Sequence, residues 1–169
     1  MKSRRNLKLQ FANAGLVAAL TVAGSAVAQT FPKEGHYDYT ACWSGVSNPI
    51  QFSKTHSAVT SEFSGTTRSN PPGGYADNLS FRCVGLNTTF GGKVTNTTVC
   101  EALGADGDKI LSQFSVASDG TATRETIAGT GKYEGLVSSG TTVPLGASPP
   151  AKPGTFQGCN RQTGTYKMK

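Results

Sequence analysis

Strand-like segments recur along most of the chain and are separated by residues that favour turns. The segments are rich in Thr, Val, Ser, Phe and Tyr, which suit a pleated and half-buried surface. The pairs Gly91-Gly92 and Asp119-Gly120 are typical of hairpin turns. Apolar side chains alternate in places, as at Phe81 and Cys83. The predicted strands are 36–44, 56–67, 79–86, 94–103, 109–116, 121–128, 133–143 and 155–166.

The spacing of these strands predicts the fold class. No segment after position 28 has apolar residues at a helical period of 3.6. Eight short strands at about ten-residue spacing are typical of a sandwich or a barrel. We therefore predict one all-β domain over residues 29–169, a small closed antiparallel barrel of about eight strands.

Two proline-rich stretches interrupt the strand pattern, at 69–75 and at 146–154. Proline cannot donate to the hydrogen-bond ladder of a central strand, so both stretches are predicted loops. They are interpreted first as stiff surface connections and second as rims around a barrel mouth.

The predicted domain is poor in large apolar side chains. Leu, Ile, Val and Phe make up about 17% of residues 29–169, and values below about 20% indicate disorder only when the net charge is high. The net charge here is small and aromatic residues remain, so the sequence indicates a folded domain with a thin core. Such a domain needs further stabilisation.

Four cysteines supply that stabilisation, and all lie within the predicted domain. Four cysteines allow three pairings. We expect Cys83–Cys100 as a local crosslink and Cys42–Cys159 as a bond between the two ends of the domain. A zinc site is the alternative, and the absence of any C-x-x-C pair disfavours it.

The first 28 residues have the composition of a secretory signal peptide. Four basic residues within positions 2–8 precede an apolar stretch from Phe11 to Ala23, and small residues end at Ala28 before Gln29. The pair Arg4-Arg5 also resembles a twin-arginine export signal. An amphipathic surface helix is the weaker alternative. The sequence therefore predicts cleavage after Ala28 and a periplasmic or secreted product.

The positive charge of the chain lies mostly in this leader. The formal net charge is +6, and the leader holds Lys2, Arg4, Arg5 and Lys8 without any acidic residue, which leaves +2 for residues 29–169. Nucleic-acid binding needs clustered basic residues among stacking aromatics, and the remaining basic residues are scattered. We predict no nucleic-acid partner, and no transmembrane segment after signal cleavage.

One segment resembles a known family. Ile127–Gly135 is similar to the I-x-G-G-T-G-K-[YF]-x-G turn of allene oxide cyclase-like and dirigent-like β-barrels, with Ala128 in place of the first glycine. The resemblance covers roughly residues 105–143. It implies an eight-stranded barrel in which Gly129, Gly131 and Gly135 form a tight turn between late strands. The resemblance does not identify any active-site residue in this chain.

Neither a cofactor nor a metal is predicted. The glycine turn fails the phosphate-loop pattern, because Thr126 and Tyr133 stand where Gly and Ser or Thr are needed. It also fails the dinucleotide fingerprint, because three residues separate Gly131 from Gly135. The chain has only two histidines, which excludes a histidine-rich metal centre.

Two carboxylates are the candidate catalytic residues. Glu101 lies in phase with Val99 and Leu103, and Glu125 lies in phase with Ile127. If those faces point inward, burial raises the carboxyl pKa and suits general acid–base catalysis. Thr121 and Thr123 share the face of Glu125, so an ordinary solvated face is the alternative.

The absence of a complete catalytic motif decides the functional expectation. We expect an exported β-barrel that binds a small apolar ligand without catalysis, or that has a role in the cell envelope. One alternative is an allene oxide cyclase-like isomerase or cyclase that confines a reactive apolar substrate. Another is a structural or interaction protein that uses the outer surface of the barrel.

Overall fold

A closed antiparallel barrel of eight strands forms the body of the protein. The computed structural model describes residues 32–169, and the predicted signal peptide lies outside these residues. Each strand pairs with its neighbour in the chain, and the last strand pairs back with the first, which confirms the predicted fold class. The strands are β1 Glu34–Ser53, β2 His56–Ser69, β3 Ser80–Phe90, β4 Lys93–Leu103, β5 Lys109–Val116, β6 Ala122–Gly129, β7 Leu136–Ala147 and β8 Thr155–Met168.

Strand β1 is much longer than the predicted 36–44. Its register with β8 ends at Val46, whereas its register with β2 continues to Ser53. The second half of β1 is therefore an edge, where a proline is tolerated because no ladder partner needs its missing N–H. Pro49 lies in this edge portion, opposite Val59. The predicted strand ended at 44, before the turn-favouring residues Gly45, Asn48 and Pro49, which β1 includes.

Alternate side chains of β1 enter the barrel. Tyr37, Tyr39 and Ala41 are buried and Trp43 is half-buried, while Cys42 between them is exposed. This two-residue period is what a strand with one face toward the core requires. The interior is thus built largely from aromatic rings, which compensate for the shortage of large aliphatic residues.

Two glycines make room for one of these rings. Gly140 of β7 and Gly164 of β8 lie opposite each other in register. A Cβ atom added to either would lie 2.3 or 2.6 Å from the Tyr37 hydroxyl oxygen. Any other residue at these positions would displace the ring, so the two glycines determine where Tyr37 packs.

Both disulfides join residues directly opposite each other on neighbouring strands. Cys42–Cys159 links β1 to β8, the pair that closes the barrel. Cys83–Cys100 links β3 to β4, and both of its residues are buried on the interior face. These are the two pairs expected from the sequence.

The connection between β2 and β3 closes one end of the barrel, and residues 70–79 are called the plug loop below. Tyr75 and Ala76 of this loop are buried within the core cluster. The Asp77 carboxylate holds the loop together by accepting hydrogen bonds from the Ser69 and Gly73 backbone N–H groups, at 2.8 and 2.9 Å. The prolines of the first proline-rich stretch are exposed, as expected for a surface connection, but the stretch ends at Tyr75 in the barrel interior.

The second proline-rich stretch lies at the opposite end, between β7 and β8. Residues 148–154 are exposed there, beside the short turns that join β1 to β2, β3 to β4 and β5 to β6. The two ends of the barrel consequently differ, since one is filled by a loop and the other is not. Among residues 32–169, no helix is long and apolar enough to cross a membrane.

Candidate functional site

A cavity of about 220 Å³ lies inside the barrel, beyond the plug loop. All eight strands contribute to its wall. Its apolar lining includes Trp43, Phe63, Phe81 and Phe114. Pockets for drug-sized ligands run from about 300 to 1,000 Å³, so this cavity fits a smaller molecule.

Two aromatic residues of the cavity wall, Trp43 and Phe63, lie toward the end of the barrel that lacks a plug. The rings of Trp43 and Phe63 lie 5.9 Å apart between centroids, and Phe156 packs edge-on against Phe63 at 5.7 Å. All three side chains are half-buried although they face inward. The cavity therefore communicates with solvent at this end.

A buried arginine lies on the plugged side of the cavity. Arg124 of β6 is 4% exposed and forms part of the cavity wall. Its guanidinium donates hydrogen bonds to the hydroxyl oxygens of Ser138 at 2.7 Å and Ser112 at 3.0 Å. It also donates to the phenol oxygens of Tyr75 at 3.2 Å and Tyr37 at 3.4 Å. All four acceptors are neutral groups.

Aromatic rings surround the same guanidinium. Its central carbon lies 5.4 Å from the ring centroid of Tyr37 and 5.9 Å from that of Tyr75. Tyr39 and Phe114 follow at 6.0 Å each. Such cation–π contacts contribute up to about 2 kcal/mol when the cation is desolvated. They stabilise the charge without neutralising it.

No carboxylate balances the charge of Arg124 within the described part of the chain. Residues 1–31 contain no Asp or Glu, so every acidic residue lies in that part. Five of the ten acidic residues form ion pairs on the outer surface, and none of the ion pairs includes Arg124. The pairs are Glu34–Lys167, Asp38–Arg161, Glu62–Arg82, Glu101–Lys109 and Asp106–Lys132.

The tyrosines do not supply a negative charge either. Burial raises the pKa of Tyr39 and that of Tyr37 above the ordinary tyrosine value, so both phenols are protonated at neutral pH. Burial alone disfavours the charged form of Arg124, but the phenol oxygens around it, first that of Tyr39, outweigh this and raise its pKa. The site is a persistent cation among neutral groups.

Two polar atoms in the cavity wall have no hydrogen-bond partner. They are Arg124 Nε and Thr142 Oγ1, and they are the only such buried side-chain atoms of residues 32–169. Thr142 lies on β7, two residues beyond Gly140, which is opposite Arg124 in register. A buried polar group without a partner costs about 1–3 kcal/mol. Both atoms without a hydrogen-bond partner therefore lie in the same part of the cavity wall, on β6 and β7.

A chain of polar side chains lines the neighbouring wall. The Tyr39 hydroxyl donates to Gln162 Oε1, and Gln162 Nε2 donates to Asn160 Oδ1 at 3.0 Å. All three residues line the cavity, and Tyr39 lies opposite Gln162 in register across β1 and β8. These polar groups lie on β1 and β8, and Asn96 and Thr98 of β4 add further polar side chains to the wall.

The two candidate catalytic carboxylates lie outside the barrel, which corrects the expectation that they face inward. Glu101 is exposed and forms an ion pair with Lys109 at 3.1 Å. Glu125 is exposed beside the buried Arg124. Alternation along β4 and β6 therefore has the opposite phase, and the solvated-face alternative describes both residues.

The glycine turn lies away from the cavity, between β6 and β7. Gly131 begins a single turn of 3-10 helix with a φ of 55°, and Gly135 has a φ of 73°. Gly129 is needed for a different reason, since a Cβ atom there would lie 2.1 Å from the Tyr133 carbonyl oxygen. The three glycines thus shape a structural turn, and the turn delays β7 to Leu136 instead of the predicted 133.

The sequence reasoning did not select Arg124, Thr142 or Tyr75 as functional residues. Arg124 alternates with Ala122 and Thr126, so these three residues share one face of β6. The hypothesis that Glu125 faces inward placed that face on the outside of the barrel. Tyr75 had no strand pattern at all. Its place in the interior depends on a loop that turns back into the barrel.

The described residues contain no cluster of three or more His, Cys, Asp or Glu that could hold a metal ion. The polar groups of the cavity are an arginine, hydroxyls and amides, a set that suits an organic ligand better than a cation. No protein-family model, curated protein or solved structure matches this chain.

Proposed function

We propose that this protein is exported and that its barrel binds one small, largely apolar molecule in the interior cavity. The observation that carries the proposal is the cavity of about 220 Å³ with an aromatic wall and a few converging polar groups. This combination is typical of small-molecule sites. Eight-stranded barrels have an interior wide enough either to be filled by side chains or to hold one small ligand.

Binding is favoured over catalysis by the ionisable groups at the cavity. Within the described residues, those that line it and titrate are Tyr39 and Arg124, because both cysteines of the wall form a disulfide. An efficient general acid or base has a pKa near the working pH. Arginine stays protonated, and burial moves the pKa of Tyr39 further from neutrality.

A second candidate is an isomerase or cyclase related to allene oxide cyclase-like barrels. The closed hollow barrel and the resemblance over residues 105–143 favour it. Confinement and orientation can lower a barrier without acid–base groups. Conversion of a bound substrate to an isomer would separate this candidate from simple binding.

Filling the cavity is expected to abolish binding. Ala122 lines the cavity near the unplugged end, opposite Val116. In Ala122→Phe the new ring occupies ligand space, and we expect at least a tenfold loss of affinity for octan-1-ol, measured by titration calorimetry. Ala128→Phe is the matched control, because Ala128 is exposed on the same strand.

The outcome of this pair of variants decides the proposal. Octan-1-ol should bind with a stoichiometry of one to the natural chain and to Ala128→Phe. Equal affinity in Ala122→Phe would place the ligand elsewhere. Absence of binding to the natural chain would leave a role for the outer surface instead.

The proposal that the protein is exported rests on the predicted signal peptide, residues 1–28, and on the cysteines. Disulfides persist in oxidising compartments such as the periplasm or the extracellular space. We expect the protein isolated from its native source to begin at Gln29, as read by N-terminal sequencing. A chain that still begins at Met1 would contradict cleavage of the leader.

A further inference from the structure

The cation of the cavity has hydrogen-bond acceptors but no counter-charge. A buried guanidinium without a carboxylate partner is rare, because removing an ion from water costs several kcal/mol even after relaxation. Arg124 is surrounded by hydroxyl oxygens and aromatic rings, and its Nε has no partner. The site therefore holds an uncompensated positive charge and one guanidinium donor that is not used.

From this imbalance we infer that the ligand is a monocarboxylate with an apolar body, bound with its carboxylate toward Arg124 and Thr142. This inference rests on the proposed function, since it names the ligand of the same cavity. The two unsatisfied atoms of the wall, Arg124 Nε and Thr142 Oγ1, can each donate a hydrogen bond to a carboxylate oxygen. A guanidinium and a carboxylate also match in planar geometry.

The charge of the site favours a ligand that carries a single negative charge. One arginine lines the cavity, and within residues 32–169 no other cation does. A carboxylate therefore leaves the occupied cavity neutral, whereas a phosphate monoester carries about −1.5 to −2 at pH 7 and would leave a buried excess of negative charge.

The shape of the cavity gives the orientation of the ligand. Arg124 contacts Tyr75 of the plug loop, so the charged group is at the closed end. Trp43 and Phe63 lie along the wall toward the unplugged end. The carboxylate enters first, and the apolar body then fills the space between the aromatic rings and the opening.

Hydrogen bonding within the protein does not by itself account for this arginine. Its two terminal nitrogens donate to four hydroxyl oxygens, whereas its Nε and the Thr142 hydroxyl on the neighbouring strand have no partner. The hydroxyls of Ser112 and Ser138 hold the guanidinium in one position. That position leaves the Nε donor of Arg124 unused in the wall of the cavity.

The test compares octanoate with octan-1-ol, which share the same carbon chain and differ in charge. Calorimetric titration of the natural chain at pH 7 should give an affinity for octanoate about 10- to 100-fold higher than for octan-1-ol, the range for a hydrogen bond to a charged group. In Arg124→Met this preference should vanish, so that the ratio of the two affinities falls to about one.

A milder variant keeps the test decisive if Arg124→Met does not fold. Thr142→Val replaces the hydroxyl by a methyl group of similar size, and it should lower the preference for octanoate over octan-1-ol about two- to tenfold. Thr141→Val is the matched control, because Thr141 is exposed on the same strand. It should change neither affinity.

Each result supports or overturns a specific statement. Equal affinities of the natural chain for the two ligands would overturn the carboxylate inference and leave the proposed function intact. Binding of neither ligand would overturn the proposed function and this inference together. A preference for octanoate that survives undiminished in Arg124→Met, or undiminished in Thr142→Val when Arg124→Met does not fold, would overturn the assignment of the carboxylate site.

Discussion

Replacing both cysteines of the Cys42–Cys159 pair by serine is expected to lower the free energy of unfolding by about 5 kcal/mol. The bond joins residues separated by 117 positions, so its loss frees nearly the whole barrel in the unfolded state. It also links β1 to β8, where the barrel closes. Urea denaturation of the oxidised protein and of the double variant measures the difference.

The other disulfide is the internal comparison for this prediction. Cys83–Cys100 spans only 17 positions, and the same chain-entropy relation gives about 3 kcal/mol for its loss. Alanine is the suitable replacement there, because both sulfurs are buried on the interior face. A larger loss of stability from this second pair than from Cys42–Cys159 would contradict the view that closure of the barrel is the critical crosslink.

Truncating the plug tyrosine, Tyr75→Ala, is expected to cost about 3–5 kcal/mol of stability. The Tyr75 ring is 5% exposed and stacks between Tyr37 and Tyr166, with both centroid distances 5.0 Å. Its removal leaves a cavity at the closed end and takes one acceptor from Arg124. Thermal and urea denaturation measure the loss.

Two further variants separate the contributions of Tyr75. Tyr75→Phe keeps the stacked ring and removes only the hydroxyl acceptor, so it should cost about 1–3 kcal/mol. Phe90→Ala removes an aromatic ring that is 59% exposed and should cost less than about 1 kcal/mol. If Tyr75→Ala were as mild as Phe90→Ala, the plug loop would not be part of the core.

Local sequence patterns were sufficient to predict the strands and the barrel. Strand β5 was predicted with both of its ends correct, at 109–116, because a glycine and aspartate turn precedes it and another follows it. The expected pairs, one local and one between the two ends of the domain, are those of the structure. Strand β1 was predicted too short: it continues from 44 to Ser53 through Pro49, which is accepted on an edge that only the closed barrel defines.

The site was harder to predict than the fold because it depends on strand phase and on a loop. Glu125 and Arg124 are adjacent, so an error of one residue in phase exchanges an exposed carboxylate for a buried guanidinium. Leu111 of β5 pairs with Ala128 of β6, but the next residue, Ser112, pairs with Thr126. This register shift also interrupts the alternation of inward and outward side chains in β6. No local pattern indicated that Tyr75 would enter the barrel through the plug loop.

The fluorescence of Trp43 during a titration with octan-1-ol tests the hollow, ligand-binding interior most directly. Trp43 is the only tryptophan of the chain and lines the cavity, so its emission reports on what enters. We expect a change that saturates at one molecule per barrel in the natural chain and in Ala128→Phe, and that is largely lost in Ala122→Phe. Emission that stays constant up to the solubility limit of octan-1-ol, or that saturates equally in Ala122→Phe, would contradict a ligand site inside the barrel.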